Sequence, residues 1–554
     1  MLALLPTSLT PERRLEESSL TGAQIGSTEF HVALLKHLTG ETLLFLSDPS
    51  DQNSLERQLR RISENETPVA AKYRVVSMRE APRVLSQERL IGFHDANGPF
   101  LHHGTYLRSH FSSYNFPLTG IVHGFSYQPI LYDFFVRLAL TPTLPCDRIF
   151  CTSQMAQKAF QNVLDYVRDS LPLQEEFKRR STVEFEQLPL GVDTDTYCPR
   201  PQSDARRLLN LPPDKTILLY FGRIDPQGKG DLQPLLLVFQ KLLKRHGNNL
   251  LLLIAGGIND HHKAQLSGFA TELGIETQVL IRPNPSLVEG PLYYNASDIF
   301  VSPVDTMQES FGITPLEAMA SGLPVVASAW SGYRETILHE KTGFLIPTQI
   351  LDHCDPLSAF SPLQSWQSDH LRFAQTVALD LEALYFALDT LIQRPQLRQE
   401  MGACGRERVL TTYTWAKIIA RAGDIWRDLS QIAQTLPHRC EPIPSLIPAQ
   451  YTEHFKHYAS HTFPPENRLT LTEEGLTFCR TKGRLPIYPE LQSWIRPEAA
   501  LVALRFIRSM SRLRQPVTLN SLTANLARKY GLEPGQAKAH LLWLIKYGYV
   551  RNCP

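Results

Sequence analysis

The stretch DIFVSPVDTMQESFGITPLEAMASGLPVVAS, residues 298–328, holds a whole βα unit. DIFVS is a short β-rich apolar run, and a helix is predicted to start at Thr314-Pro315. SGLP then turns the chain into a second apolar run, because a Gly-Pro pair stops a helix and restarts the backbone extended. Glu309 and Glu317 stand either side of Phe311-Gly312. Thr314, Pro315 and Glu317 have the form of an N-cap, an N1 proline and an N3 acid, so Glu317 is expected to hold its helix end in a capping box. Glu309, upstream on the loop, has no such structural task. It is the residue that separates a ligand site from a pair of unrelated charges.

The same rhythm extends outward. TILLYFG (216–222), NLLLLIAGG (249–257) and QVLIR (278–282) precede DIFVS (298–302) and LPVVAS (323–328). An earlier series contains RLIGF (89–93), LTGIV (118–122) and DRIFC (147–151), the last running into TSQMAQKAFQNVL with Ser153 as predicted N-cap. Short strands alternating with helices predict parallel sheets. Two series joined near residue 195 predict two similar α/β domains facing a cleft, with ligand bound outside the carboxyl ends of the strands. The expected domains are 1–195 and 196–430, then a proline-rich linker at 431–465 and a small helical module at 466–554. The chain has 554 residues, more than one core accommodates, since single cores rarely exceed ~250 residues.

Composition narrows the partners. A formal charge of +1 excludes a chain-wide attraction to polyanions. The opening MLALLPTSLTPERR has five apolar-rich residues before Pro6 and no basic lead, unlike a secretory signal. No apolar run reaches the ~20 residues a bilayer span needs. A cytoplasmic protein, with membrane-peripheral association as the variant, is the expectation. The eight cysteines are scattered singly, which supports neither a disulfide framework nor structural zinc.

Strand TILLYFG empties into GRIDPQGKG (222–230). Gly222, Gly228 and Gly230 allow backbone amides to approach a ligand, and Arg223 and Lys229 add two positive charges at a strand's carboxyl end. A diphosphate fits that chemistry, although glycine-rich βα turns with solvated charges are common.

ESFGITPLE (309–317) resembles the E-x7-E motif of retaining GT-B glycosyltransferases, specifically glycosyltransferase family 4. SGLPVVASAWSGYRETILHEKTGFLIPT, PLGVDTDTY and CDRIFCTSQMAQKAF continue the likeness in the family's order, over roughly residues 22–430. The resemblance implies a GT-B fold of two Rossmann-like domains; the C-terminal module, outside the resembling span, is expected to be winged-helix-like from its helix-turn-helix rhythm. It implies that Glu309 contacts the donor sugar, supported by the backbone of Phe311 and Gly312. Ile313 and Thr314 lie on the same donor-binding segment, Glu317 holds the ribose, and Arg223 and Lys229 hold the diphosphate. The Arg223 to Lys229 interval is one residue longer than the commonest form. His123, at the end of LTGIVHGF, stands where the family often places a histidine beside the sugar. His94-Asp95 and His102-His103 are weaker candidates. GAQIGSTEFHVALLKHL resembles the glycine loop and first helix over the donor phosphates, with Gly26 and Ser27 as the matching residues and MLALL as the only available first strand.

The expected reaction is metal-independent transfer from a UDP-, GDP- or ADP-sugar to a saccharide, lipid, peptide or small-molecule acceptor, with no cofactor. No D-x-D lies in a suitable loop; Asp193-Thr194-Asp195 overlaps the turn at the domain junction. A GT-B epimerase, a phosphorylase, and a non-catalytic sugar-nucleotide sensor are the alternatives. In the C-terminal module nine basic residues from Arg505 onward face the single acid Glu533. Its helix-turn-helix rhythm admits nucleic acid, a docked peptide or protein, or a plain packing role.

Overall fold

The structure is a computed structural model that describes residues 1–5, 22–48, 51–65, 69–96, 98–127, 130–172, 183–286, 288–350, 355–437, 458, 466–481, 485–488, 491 and 494–553. These divide into two compact units, Met1–Ser47 with Gln52–Leu446, and Ile447–Pro554 with Asp48–Asp51.

The larger unit contains two parallel sheets. The first holds β1 (Leu2–Leu5), β2 (Thr42–Ser47), β3 (Lys72–Ser77), β4 (Gly92–Asp95), β5 (Leu118–Val122), β6 (Arg148–Cys151) and β7 (Glu184–Gln187) in the order β3-β2-β1-β4-β5-β6-β7. The second holds β8 (Thr216–Phe221), β9 (Leu250–Gly256), β10 (Val279–Pro283), β11 (Ile299–Ser302), β12 (Val325–Ser328) and β13 (Gly343–Ile346) in the order β10-β9-β8-β11-β12-β13. In each sheet the chain starts centrally, winds outward and returns to the other side. The direction therefore reverses between β1 and β4 and between β8 and β11, the places where doubly wound sheets open a ligand crevice.

MLALL does form the first strand. Four residues suffice because β1 is paired on both sides, with Leu2 opposite both Leu43 and Gly92, and Leu2, Ala3 and Leu4 are fully buried. The strand expected at RLIGF lies three residues later, at Gly92–Asp95, in the register β1 imposes. The edge strand β7, EFEQ, carries two acids and is largely unburied, so it has little apolar signal.

The chain passes between the two sheets at two adjacent points. Val192 N donates to Tyr413 O at 2.8 Å, and Gly191 lies against Trp415 so closely that a Cβ would sit 2.5 Å from the indole. The helix Trp415–Thr435 then packs on the first sheet, although it follows the second in sequence. Trp426 is fully buried against Phe30, His94 and Phe150, and its Nε1 donates to Thr119 Oγ1 at 3.0 Å. Residues 431–435, expected in the linker, are the last turn of this helix; apart from 436–437 and 458, the rest of that stretch lies outside the described residues. Deeper in the first sheet, buried Arg108 and Asp147 form a two-pronged pair at 2.7 and 2.8 Å. Asp147 also accepts from the amides of Leu118 and Leu144.

The smaller unit is mostly helical, as expected. Helices Glu473–Thr481, Pro497–Arg512, Leu519–Tyr530 and Pro534–Lys546 lie between strands Arg468–Leu471 and Val550–Cys553, which pair antiparallel. Leu504, Ile507, Leu522, Leu526, Leu541 and Leu544 build its core.

Candidate functional site

The site grows from the reversal point of the second sheet. β8 ends at Phe221 and is followed by Gly222, whose φ of 150° suits glycine. Neighbouring Gly256, at φ 148°, could not carry a side chain, since its Cβ would lie 1.7 Å from Gly222 O. Two strand ends thus meet backbone to backbone, and the loop that follows is fixed from its first residue. Lys229 N and Gly230 N both donate to Asp225 O, at 2.8 and 3.1 Å, closing the loop on itself. The loop after β11 clamps it: Thr306 Oγ1 donates to Lys229 O at 3.2 Å, and Asp231 N donates to Asp305 Oδ1 at 3.3 Å. Burial pushes the Asp305 carboxyl up to about 7.

This clamp brings Lys229 to Glu309, 80 positions later, as a direct ion pair. The Glu309 carboxylate also accepts from Phe311 N at 3.1 Å and from the Tyr333 hydroxyl at 3.5 Å. Burial opposes its charge, but the Lys229 ammonium and these donors outweigh that and hold its pKa below the ordinary value. Arg223 donates to Gly228 O at 3.1 Å and faces Asp225 at 3.7 Å.

The capping box is not formed. Gly312, at φ 95°, is the N-cap of helix Ile313–Ala320, and no side chain caps that end. Glu317 is the helix's fifth residue, too far along to serve as the N3 acid. Its buried carboxylate accepts from Tyr294 Oη at 2.5 Å and from the Tyr197 hydroxyl; burial raises its pKa, with those donors acting in opposition. Gly312 permits the turn between the two glutamates, since a Cβ there would lie 2.0 Å from the Tyr333 ring. Phe311 is buried beneath it.

The first sheet contributes from the opposite side. Gly26 and Ser27 lie inside the helix Gly22–His37 rather than on a loop; the segment before it is outside the described residues. A Cβ on Gly26 would meet Leu190 at 3.3 Å and Ile313 at 3.5 Å, so this helix abuts the start of the Glu317 helix. Ser27 O is taken by His31 Nδ1 at 2.7 Å. His123 follows β5 with Nε2 3.2 Å from Ala96 O, and burial lowers its pKa. Gly124 lies against Gln308, the residue before Glu309, so His123 and Glu309 are next to two residues in contact.

His94 is a core residue instead. Its ring packs among Phe30, Phe150 and Trp426, Nδ1 is 3.0 Å from Thr119 Oγ1, and burial pushes its pKa down to about 3. The His102 and His103 rings lie 4.1 Å apart, tilted by 44°, with His103 3.8 Å from Asp95. Asp193 folds its own turn, accepting from Asp195 N and Thr196 N at 3.0 and 3.2 Å.

Several contributors were not legible in advance. Tyr127 reaches Arg223 from the loop after β5. Glu29 is pushed up to about 8, first by burial and then by the charges of Glu317 and Asp193. Ser153 does cap its helix, and its hydroxyl also donates to Ser310 O at 2.7 Å. Tyr333 lies within the quoted SGYRET segment, so the signal was present, but a tyrosine there suggests core. Among the described residues no three His, Cys, Asp or Glu side chains form a metal-ligand set, and no helix is long and apolar enough to cross a membrane.

Residues 201–353 match the family model "Glycosyl transferases group 1", a span containing Arg223, Lys229, Glu309 and Glu317. Over 224 residues the chain is 30% identical to D-inositol 3-phosphate glycosyltransferase from Thermobispora bispora, covering 37% of this chain and 50% of that protein. It is 26% identical over 247 residues to GDP-mannose-dependent alpha-(1-6)-phosphatidylinositol monomannoside mannosyltransferase from Mycolicibacterium smegmatis, covering 44% and 56%. The chain thus spans about half the length of these curated relatives. In fold it is similar to sucrose-phosphate synthase from Thermosynechococcus elongatus (TM-score 0.51, 19% identity, 78% of this chain and 99% of that one). It is likewise similar to a glycosyltransferase from Rickettsia africae (TM-score 0.52, 16% identity, 77% and 98%). The chain has the GT-B fold, and its residues 201–353 match the glycosyl transferases group 1 model.

Proposed function

We propose that the protein is a retaining glycosyltransferase that moves a sugar from a nucleoside-diphosphate sugar to an acceptor without a metal. The observation that carries this reading is the Lys229–Glu309 pair at the reversal point of the second sheet, flanked by Arg223 and Glu317. Two cations are suited to a diphosphate, and two buried carboxylates to hydroxyl groups. The relatives' names, which include an inositol phosphate glycosyltransferase and a GDP-mannose-dependent enzyme, support the same class of reaction.

In the reaction the bond from the anomeric carbon to the phosphate oxygen breaks, and a bond to the acceptor oxygen forms on the same face. The acceptor's proton passes to the departing phosphate. Arg223, Lys229 and the amide end of the Ile313–Ala320 helix would neutralise the charge that develops on the diphosphate, the kind of preorganised stabilisation that is often the largest catalytic contribution. Glu309 would orient the sugar through its hydroxyls, Glu317 would bind the ribose, and His123 would face the sugar from the first sheet. Hydrolysis of a panel of UDP-, GDP- and ADP-sugars by the full chain, with EDTA present and the anomer of released sugar read by NMR, tests this. Release with the donor's own anomeric configuration is expected; an inverted anomer or complete loss of activity in EDTA overturns it.

A further inference from the structure

Between β13 and the helix Leu381–Gln393 the chain makes an elaborate excursion. Strands Thr348–Gln349 and Ala378–Leu379 pair antiparallel at its base, and the helix Trp366–Ala374 lies within it. This helix is beyond residue 353, where the family match ends, and no motif in the sequence drew attention to it. It supplies His370, which is 5% exposed.

His370 touches both sides of the site. Its Nε2 is 2.9 Å from Ser126 O, in the loop that follows β5 and His123. Its Nδ1 is 3.2 Å from Gln308 Nε2, one residue before Glu309. One neutral tautomer satisfies both contacts: Nε2–H donates to the Ser126 carbonyl while Nδ1 accepts from the Gln308 amide. The orientation of Gln308 fits this assignment, because its Oε1 occupies the space a side chain on Gly124 would need, 2.5 Å from the Cβ position. Tyr127 completes the arrangement. Its ring packs on Trp366 at 5.0 Å and on His370 at 5.6 Å, and its hydroxyl reaches Arg223.

We propose that His370 is a positioning residue for glycosyl transfer, setting the Gln308-Glu309 turn against the Ser126-Tyr127 loop so that Glu309 and His123 meet the donor sugar at a fixed separation. It acts through Gln308 and Ser126, not on the reacting atoms. The inference rests on the glycosyltransferase reading above and adds a residue outside the matched domain to its machinery. An imidazole bonded to two loops restricts both, and small displacements of orienting groups carry large costs in rate.

The test uses the full chain with UDP-, GDP- and ADP-glucose as probes, first on the wild type and then on His370→Ala, His370→Gln, Gln308→Ala and the His370→Ala/Gln308→Ala pair. For the nucleotide sugar that the wild type hydrolyses, His370→Ala is expected to lower kcat by roughly tenfold to a hundredfold. The Kd for the corresponding nucleoside diphosphate should stay within about twofold and Tm should be little changed. Glutamine, whose amide both donates and accepts, should restore most of kcat, and the double variant should be no worse than His370→Ala because both remove the same link. A kcat within about twofold of wild type overturns the proposal. So does a loss of kcat matched by equal losses in Kd and Tm that glutamine does not relieve, which would make the residue merely structural. A wild type that neither binds nor hydrolyses any nucleotide sugar overturns this proposal together with the function on which it rests, and that result appears before any substitution is compared.

Discussion

Replacing Glu309 with glutamine separates two quantities that usually fall together. Lys229 is neutralised by Glu309, with the two side chains 19% and 8% exposed. An incoming diphosphate must compete with that carboxylate for the ammonium. Glutamine keeps an acceptor for Phe311 N but removes the competing charge, so Lys229 is freed for phosphate. The coulombic attraction of such a pair is about 4 kcal/mol at an effective dielectric constant near 20, and most of it is returned as hydration of the released ammonium. Nucleoside diphosphate binding should therefore hold steady or tighten, by up to about tenfold. The donor sugar loses charge-assisted hydrogen bonds worth about 1.5–3 kcal/mol each, so turnover should fall roughly a hundredfold for one to two such bonds at about 1.4 kcal/mol per tenfold. Calorimetric titration with UDP, GDP and ADP, together with kcat for nucleotide-sugar hydrolysis, reads both. Equal weakening of diphosphate binding and turnover, or no change in either, refutes the reasoning.

Glu29 holds its proton to about pH 8 in the fold against 4.5 ordinarily, so the unfolded chain ionises first and wild-type stability falls as pH rises from about 4.5 to about 8. Glu29→Gln has no proton to lose, and its Tm advantage over wild type should grow between pH 5 and pH 8; a shrinking advantage contradicts the burial of that carboxyl. Asp147→Ala leaves Arg108 as a buried unpaired cation and strands the amides of Leu118 and Leu144, so denaturant unfolding should show a loss of about 3–5 kcal/mol, whereas a loss under about 1 kcal/mol would mean that the pair is not buried as described. Gly312→Ala forces a Cβ into the Tyr333 ring at a positive φ and should destabilise the chain by about 1–3 kcal/mol while weakening nucleotide-sugar binding. Unchanged binding in that variant would argue against the Phe311-Gly312 turn as the link between the two glutamates.

What the sequence made legible is what chain-local physics controls. LTGIV and TILLYF became strands almost to the residue, because continuous apolar runs bounded by polar loops have few other stable forms. Strand β2, TLLFLS, is a buried interior strand whose apolar run carries the same signal, while β3 and β7 stand at the edges of the sheet and their partly exposed residues give little. Thr314-Pro315-Glu317 satisfied a local capping rule, yet tertiary contacts prevailed: Gly312 ends the turn under Tyr333, and Tyr294 takes the Glu317 carboxylate. The return of Trp415–Thr435 to the first sheet could not be read from amphipathicity, which shows that a face is buried but not against what. The Lys229–Glu309 pair and the His370 link join residues 80 and 62 or more positions apart, and they emerge only once the sheets place their loops together.

The loops after β8 and β11 are proposed to form one nucleotide-sugar site. Calorimetric titration of the full chain and its Arg223→Ala variant with UDP-, GDP- and ADP-glucose tests it most directly. Saturable binding of at least one of them to the wild type is expected, with a loss of about tenfold or more in Arg223→Ala, from removal of a charge-assisted contact to the diphosphate. Binding of none of the three to the wild type, or equal affinity in the two proteins, would contradict it.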